Sequence, residues 1–68
     1  MKNRLKLERA SRKLTQDELA RRIGVSRQTI NSIENGRYIP STVLALKISK
    51  VFGKMVNEIF ELGADDWS

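Results

Sequence analysis

Residues 15–36 read TQDELARRIGVSRQTINSIENG, and this stretch decides the fold. Thr15 and Glu18 stand three apart at the head of a periodic apolar run, the spacing of a capping box. In that arrangement the Thr15 hydroxyl accepts from the Glu18 amide while the Glu18 carboxylate reaches back. The run predicts a helix over about 16–23 with Leu19, Ala20 and Ile23 facing inward. Gly24 supplies the left-handed conformation that ends a helix, Ser26 suits the cap of the next, and Gly36 stops that one after about residue 35. Two short helices joined by a turn of about three residues, glycine first, form a helix-turn-helix over about 16–35.

The second helix of such a unit lies in a DNA major groove, with its amino-terminal residues on base edges, while the first braces across the backbone. Here Val25, Ile30 and Ile33 are the anchoring positions, which leaves Arg27, Gln28, Asn31 and Ser32 outward on one surface. Arginine forks onto guanine O6 and N7, and glutamine pairs with adenine N6 and N7. Asn31 and Ser32 are shorter and reach bases or bridging waters. Any solvated helix carries a polar face. Four such groups on the second helix of a capped, glycine-turned pair favour base reading over that plainer explanation.

Working outward, Leu5, Leu7, Ala10 and Leu14 predict a first amphipathic helix ending near Lys13. Pro40 pushes Ile39 out of the helical region. Ser41 then caps a fourth helix, about 42–52, with Leu44, Ala45, Ile48 and Phe52 inward and Gly53 closing it. A short fifth helix, about 56–60, donates Val56, Ile59 and Phe60 to the core. Residues 1–3 and 60–62 are short enough to pair as a terminal antiparallel ribbon. The expected fold is an all-α, five-helix bundle over residues 1–62, with a short acidic tail at 63–68.

Composition narrows the function. Sixty-eight residues make one domain that buries only about 60% of its unfolded surface. With no cysteine and no histidine, disulfides, zinc fingers and imidazole chemistry are excluded, and no metal or cofactor is expected. No apolar run approaches the roughly 18 residues of a membrane helix, and no secretory signal opens the sequence, so a cytoplasmic protein is expected. All 13 Lys and Arg fall in residues 1–54, which hold four acids and net +9; residues 55–68 hold four acids and no base, a net −4. A basic body with an acidic tail points to a polyanion on one side, although charge alone fits a well-solvated domain equally. No enzyme is expected: convergent titratable groups are missing, and Asp17 and Glu18 are explained by the helix dipole. RNA is disfavoured because its deep, narrow major groove excludes a helix.

The run LTQDELARRIGVSRQTINSIENGRYIPS closely resembles the lambda-repressor/Cro-like (XRE) helix-turn-helix family, over about residues 4–62. The resemblance is strongest to the short single-domain type, of the cytolysin-repressor kind, whose dimers carry a small sheet formed by the chain ends. It implies a lambda-repressor-like DNA-binding bundle in which Gln28 is the principal base reader. Arg27 and Ser32 then fall on positions that vary with operator preference. Gln16 corresponds to a phosphate-contacting glutamine that also supports the reading helix, and Asn35 and Arg37 match a backbone-clamping loop. Tyr38 is open between joining that loop and packing beside Pro40. Thr15, Lys13 and Arg22 complete the phosphate-contacting set, with Arg12 and Lys6 as further basic candidates. Arg9 and Glu34 align with a structural ion pair. Three positions depart from the family: Glu8 stands at an often apolar site, so Leu7 is expected to take over part of its packing. Lys13 replaces a common glycine, and Met55 a capping Ser or Thr.

One helix-turn-helix reads few base pairs, so a homodimer on a near-palindromic double-stranded operator is expected, acting as a transcriptional repressor. Leu46, Phe60, Leu62 and Trp67 are the candidate dimer interface, with Val43 beside them; a frayed end is the other reading of Trp67. The competing function is an antitoxin-type module that binds an unidentified protein partner and regulates its own operon.

Overall fold

Four helices close by the same local device. The computed structural model describes all 68 residues. It contains α1 (Leu5–Ser11), α2 (Gln16–Ile23), α3 (Arg27–Glu34), α4 (Thr42–Phe52) and α5 (Val56–Ile59). After each of the first four, one residue turns left-handed: Lys13, Gly24, Gly36 and Gly53, with φ of 55°, 75°, 72° and 65°. In each case the amide just beyond folds back to a carbonyl five residues earlier. Leu14 donates to Arg9, Val25 to Ala20, Arg37 to Ser32 and Lys54 to Ser49, at 2.9–3.2 Å. This is the Schellman closure, and its left-handed position normally belongs to glycine. Lys13 occupies that position in α1 despite carrying a Cβ.

The helix starts follow the sequence closely. Thr15 and Glu18 form the complete capping box, and Ser26 and Ser41 accept from Thr29 and Leu44 amides. Met55 has no side chain to cap α5, but the Glu58 carboxylate still accepts from its amide at 2.8 Å. The twelve core residues include Leu5, Leu19, Ile30, Ile48 and Ile59, all fully buried. Antiparallel strands β1 (Lys2–Asn3) and β2 (Phe60–Glu61) join the chain ends, pairing Lys2 with Glu61 and Asn3 with Phe60. Asn3 fastens this ribbon to the bundle, donating through Nδ2 to the Ile33 carbonyl at 2.9 Å and accepting from the Leu5 amide. No helix is long and apolar enough to cross a membrane.

Several boundaries shift. Helix α1 ends at Ser11 rather than near Lys13, because a positive φ cannot continue a right-handed helix. Helix α3 ends at Glu34 and α5 at Ile59, with Phe60 drawn into the ribbon. Residues Ala64–Trp67 form a single 3-10 turn started by the Asp66 carboxylate on the Gly63 amide. The inward face of α1 also differs. Leu7 is 65% exposed and Ala10 is exposed, whereas Glu8 is only 9% exposed.

Glu8 is tolerated inside because two cations meet it. Arg12 Nη1 lies 2.7 Å from one carboxylate oxygen and Lys54 Nζ 3.3 Å from the other. Arg12 also donates to the Phe52 carbonyl and stacks 4.8 Å from the Phe52 ring centroid. The Arg12 hydrogen bond holds the Glu8 carboxyl below its ordinary 4.5; burial opposes this, and the Lys54 hydrogen bond and charge add to it. The Thr15 amide depresses Glu18 in the same direction.

A depressed carboxylate contributes stability that is present above its unfolded pKa and lost as pH falls through its folded one. Unfolding free energy from urea titrations should therefore decline below about pH 4.5. Glu8→Gln should make that decline shallower without abolishing it, since Glu18 keeps its own share. At Lys13, relief of about 1–2 kcal/mol of left-handed strain should exceed the ~0.5–1 kcal/mol entropic penalty of glycine. Lys13→Gly should thus raise the urea midpoint, whereas Lys13→Ala, which also removes the charge, should not.

Candidate nucleic-acid interface

Helix α3 is fixed from behind and open in front. Ile30 and Ile33 are buried in the same core cluster as Leu19, Ala20 and Ile23 of α2, and Val25 packs half-buried against that cluster. Outward stand Arg27, Gln28 and Asn31, all exposed, and Ser32, half-buried. They do not form one uniform strip. Arg27, Gln28 and Asn31 share a shallow recess with Gln16 of α2. Ser32 lies across the ridge in a second recess with Ser26, Gln28, Thr29 and Tyr38. Gln28 alone belongs to both.

The first recess has an ordered polar floor. Arg9 grips Glu34 through Nε at 2.7 Å and Nη2 at 3.3 Å, and its Nη1 donates to the Leu14 carbonyl at 2.8 Å. The Glu34 side chain is 3% exposed, so this ion pair is largely buried. Gln16 Nε2 donates to Glu34 Oε1 at 3.0 Å and to Asn31 Oδ1 at 3.3 Å, while its Oε1 accepts from Arg27 Nε at 3.4 Å. Asn35 Nδ2 also donates to Asn31 Oδ1, at 3.3 Å. The Gln16 carboxamide therefore has both hydrogens engaged within the protein. Its backbone amide, at the first position of α2, makes no bond within the chain.

Around this floor the cations divide into two kinds. Arg4, Arg9, Arg12, Arg21 and Lys54 are ion-paired. Arg12, bound to Glu8 and Phe52, is thus removed from the set of free basic candidates. Lys6, Lys13, Arg22, Arg27 and Arg37 have no carboxylate within 4.0 Å. Arg37 is placed by the closure of α3, its amide on the Ser32 carbonyl, and the Tyr38 amide reaches the same oxygen at 3.3 Å. Tyr38 is 46% exposed and lines the Ser32 recess, while Pro40 belongs to a different, apolar groove.

That groove shares no residue with the two recesses. It is lined by Ile39, Pro40, Ala45, Leu46, Val56 and Phe60 and continues past Leu62 to Trp67. Leu46, Leu62, Val43 and Trp67 are 57%, 58%, 64% and 78% exposed. Phe60, at 7%, belongs to the chain's own core and offers the groove only its rim. Sequence reasoning missed the Asn3 tie to Ile33 and the Lys54 arm on Glu8. Neither has a local signal, because the partners lie 30 and 46 residues away.

Comparison with known proteins agrees with this geometry. The family model described as "Helix-turn-helix" matches residues 5–59. A Methanocaldococcus jannaschii protein named as an HTH-type transcriptional regulator is 57% identical over 60 residues, 88% of this chain and 91% of its own. The Bacillus subtilis HTH-type transcriptional regulator YgzD is 45% identical over 62 residues, covering 91% and 94% of the two chains. Among solved structures, the restriction-modification controller protein C.AhdI from Aeromonas hydrophila superposes with a TM-score of 0.77 at 30% identity, over 84% of this chain and 86% of that one.

Removing one partner of a buried ion pair leaves an uncompensated charge, which costs about 3–5 kcal/mol. The whole domain is expected to hold only about 3–10 kcal/mol, from ~0.05–0.15 per residue. Glu34→Ala should therefore lose most of the cooperative thermal transition seen by circular dichroism. Removing Arg9 as well should cost markedly less than the sum of the two single changes.

Proposed function

The chain belongs to the helix-turn-helix family, and on that premise we propose that it is a sequence-specific, double-stranded DNA-binding transcriptional regulator. The observation that carries this reading is α3 itself. Arg27, Gln28 and Asn31 stand exposed on a helix whose opposite face is locked into the core, and Lys13, Arg22 and Arg37 have no carboxylate within 4.0 Å. Base edges demand fixed donor geometry, and a helix anchored by Ile30 and Ile33 supplies it. Arg27, Gln28, Asn31 and Ser32 read bases, Gln28 centrally because it borders both recesses.

Phosphates are met by the free amide of Gln16 at the start of α2, by the Thr15 hydroxyl, and by Lys13, Arg22, Asn35, Arg37 and Tyr38. The positive end of α2 favours an anion there. The protein acts in the cytoplasm as a repressor, and as a homodimer on a near-palindrome with half-sites about 34 Å apart. The apolar groove through Leu46, Leu62 and Trp67 is the surface on which the two copies meet, with the rim of Phe60 at its floor.

Selection of bound sequences from randomised duplexes tests this. The expected product is two inverted half-sites. Gln28→Ala and Arg27→Ala should each relax one symmetric pair of positions by about 1–3 kcal/mol, and Arg37→Ala should weaken all sequences alike while lowering the salt slope by about one. Uniform weakening by Gln28→Ala with an unchanged motif would refute direct reading by that residue.

A further inference from the structure

The polar floor of the first recess is a one-way chain, and it fixes which end of Asn31 faces outward. Glu34 can only accept, since its carboxylate is paired with Arg9 at 2.7 Å. Gln16 must therefore present Nε2 to Glu34 Oε1, at 3.0 Å. The second hydrogen on the same nitrogen points at Asn31, 3.3 Å away, so Asn31 must answer with its oxygen. Asn35 Nδ2 donates to that same Oδ1 at 3.3 Å. The orientation of each amide thus follows from the charge behind it. Asn31 Nδ2 has no partner in the chain and is left facing solvent.

We infer that Asn31 reads base edges as a hydrogen-bond donor only, with Gln16 and Asn35 as the positioning residues that withhold its carbonyl oxygen. This deepens the DNA-binding reading above and rests on it. An asparagine with both ends free pairs with adenine, accepting from N6 and donating to N7. A donor-only asparagine keeps a single bond to adenine N7 and loses the paired contact, so it favours guanine, whose O6 and N7 both accept. It also has nothing to offer the N4 donor of cytosine. The same helix carries the contrasting case, because the Gln28 side chain makes no hydrogen bond in the chain and can still present donor and acceptor together.

The test is a randomised-duplex selection with the wild-type protein, Asn31→Ala, and the double variant Gln16→Ala with Asn35→Ala. The position that flattens in Asn31→Ala identifies the base beneath Asn31. There the wild type should favour guanine over adenine on the order of tenfold. In the double variant, which frees Oδ1, adenine should rise at that position to at least parity, whatever happens to overall affinity. A purely structural role for Gln16 would weaken binding and leave the base preference alone. Adenine as the wild-type choice, or an unmoved preference in the double variant, overturns the inference while leaving the DNA-binding function standing. Absence of any selected motif in the wild type overturns both. Without DNA, side-chain amide exchange by NMR should show the Gln16 NH2 protected relative to those of Asn31 and Gln28. Equal exchange of the three overturns the inference by itself.

Discussion

The Glu34 carboxylate is the constraint on which the exposed face of α3 depends. A carboxylate almost out of solvent must be neutralised, and Arg9 does so with two of its donors while a third holds the Leu14 carbonyl. One side chain thus ties α1, the turn before α2, and the end of α3 together. Because ionised carboxylates only accept, the pair also imposes a direction on everything hydrogen-bonded to it. Gln16 takes its orientation from Glu34, and Arg27 and Asn31 take theirs from Gln16. Such networks are favourable when every member is satisfied, and no buried side-chain polar atom here lacks a partner.

The helix-turn-helix was legible in the sequence because its determinants are local. Thr15 and Glu18 find each other within one turn, Ser26 and Ser41 cap the helices that follow them, and Gly24 and Gly53 close at the residues expected. The helices of the five-helix bundle followed from the same signals, whereas the terminal ribbon came from the brevity of the two end segments and the resemblance to short relatives. What failed were inferences needing a partner from elsewhere in the chain. Glu8 looked like an interruption of an apolar face, with Leu7 as its substitute. In the fold it is buried, because Lys54 arrives from the end of α4 and Arg12 is itself held by Phe52. Nothing within a helical turn of Glu8 announces Lys54. Arg12 differs in part: its ion-pair partner Glu8 lies one turn away on the same helix, and only its hold on the Phe52 carbonyl comes from far along the chain.

Within the candidate site, residue types and faces were legible and their division was not. Periodicity put Arg27, Gln28, Asn31 and Ser32 outside, but it could not separate the Gln16 recess from the Tyr38 recess. That separation depends on the Schellman closure of α3, which swings Arg37 and Tyr38 onto the Ser32 carbonyl. The resemblance to known regulators supplied the Arg9–Glu34 pair. It did not supply the orientation of Asn31, which follows only from atoms placed relative to one another.

The ribbon has a kinetic meaning. The starts and stops of α2, α3 and α4 are each decided within about six residues, so these helices form from contacts that close early and fast. Pairing of residues 2–3 with 60–61 instead closes a loop of nearly the whole chain, whose entropic cost is met only once the helices have already shortened it. Loop-closure entropy therefore favours pairing of the ribbon after the helices have formed and its opening before theirs. Asn3, which rides on the ribbon, releases the Ile33 carbonyl in the last turn of α3 when the ribbon opens. Helix α3 acquires this last restraint only when the two ends of the chain have met.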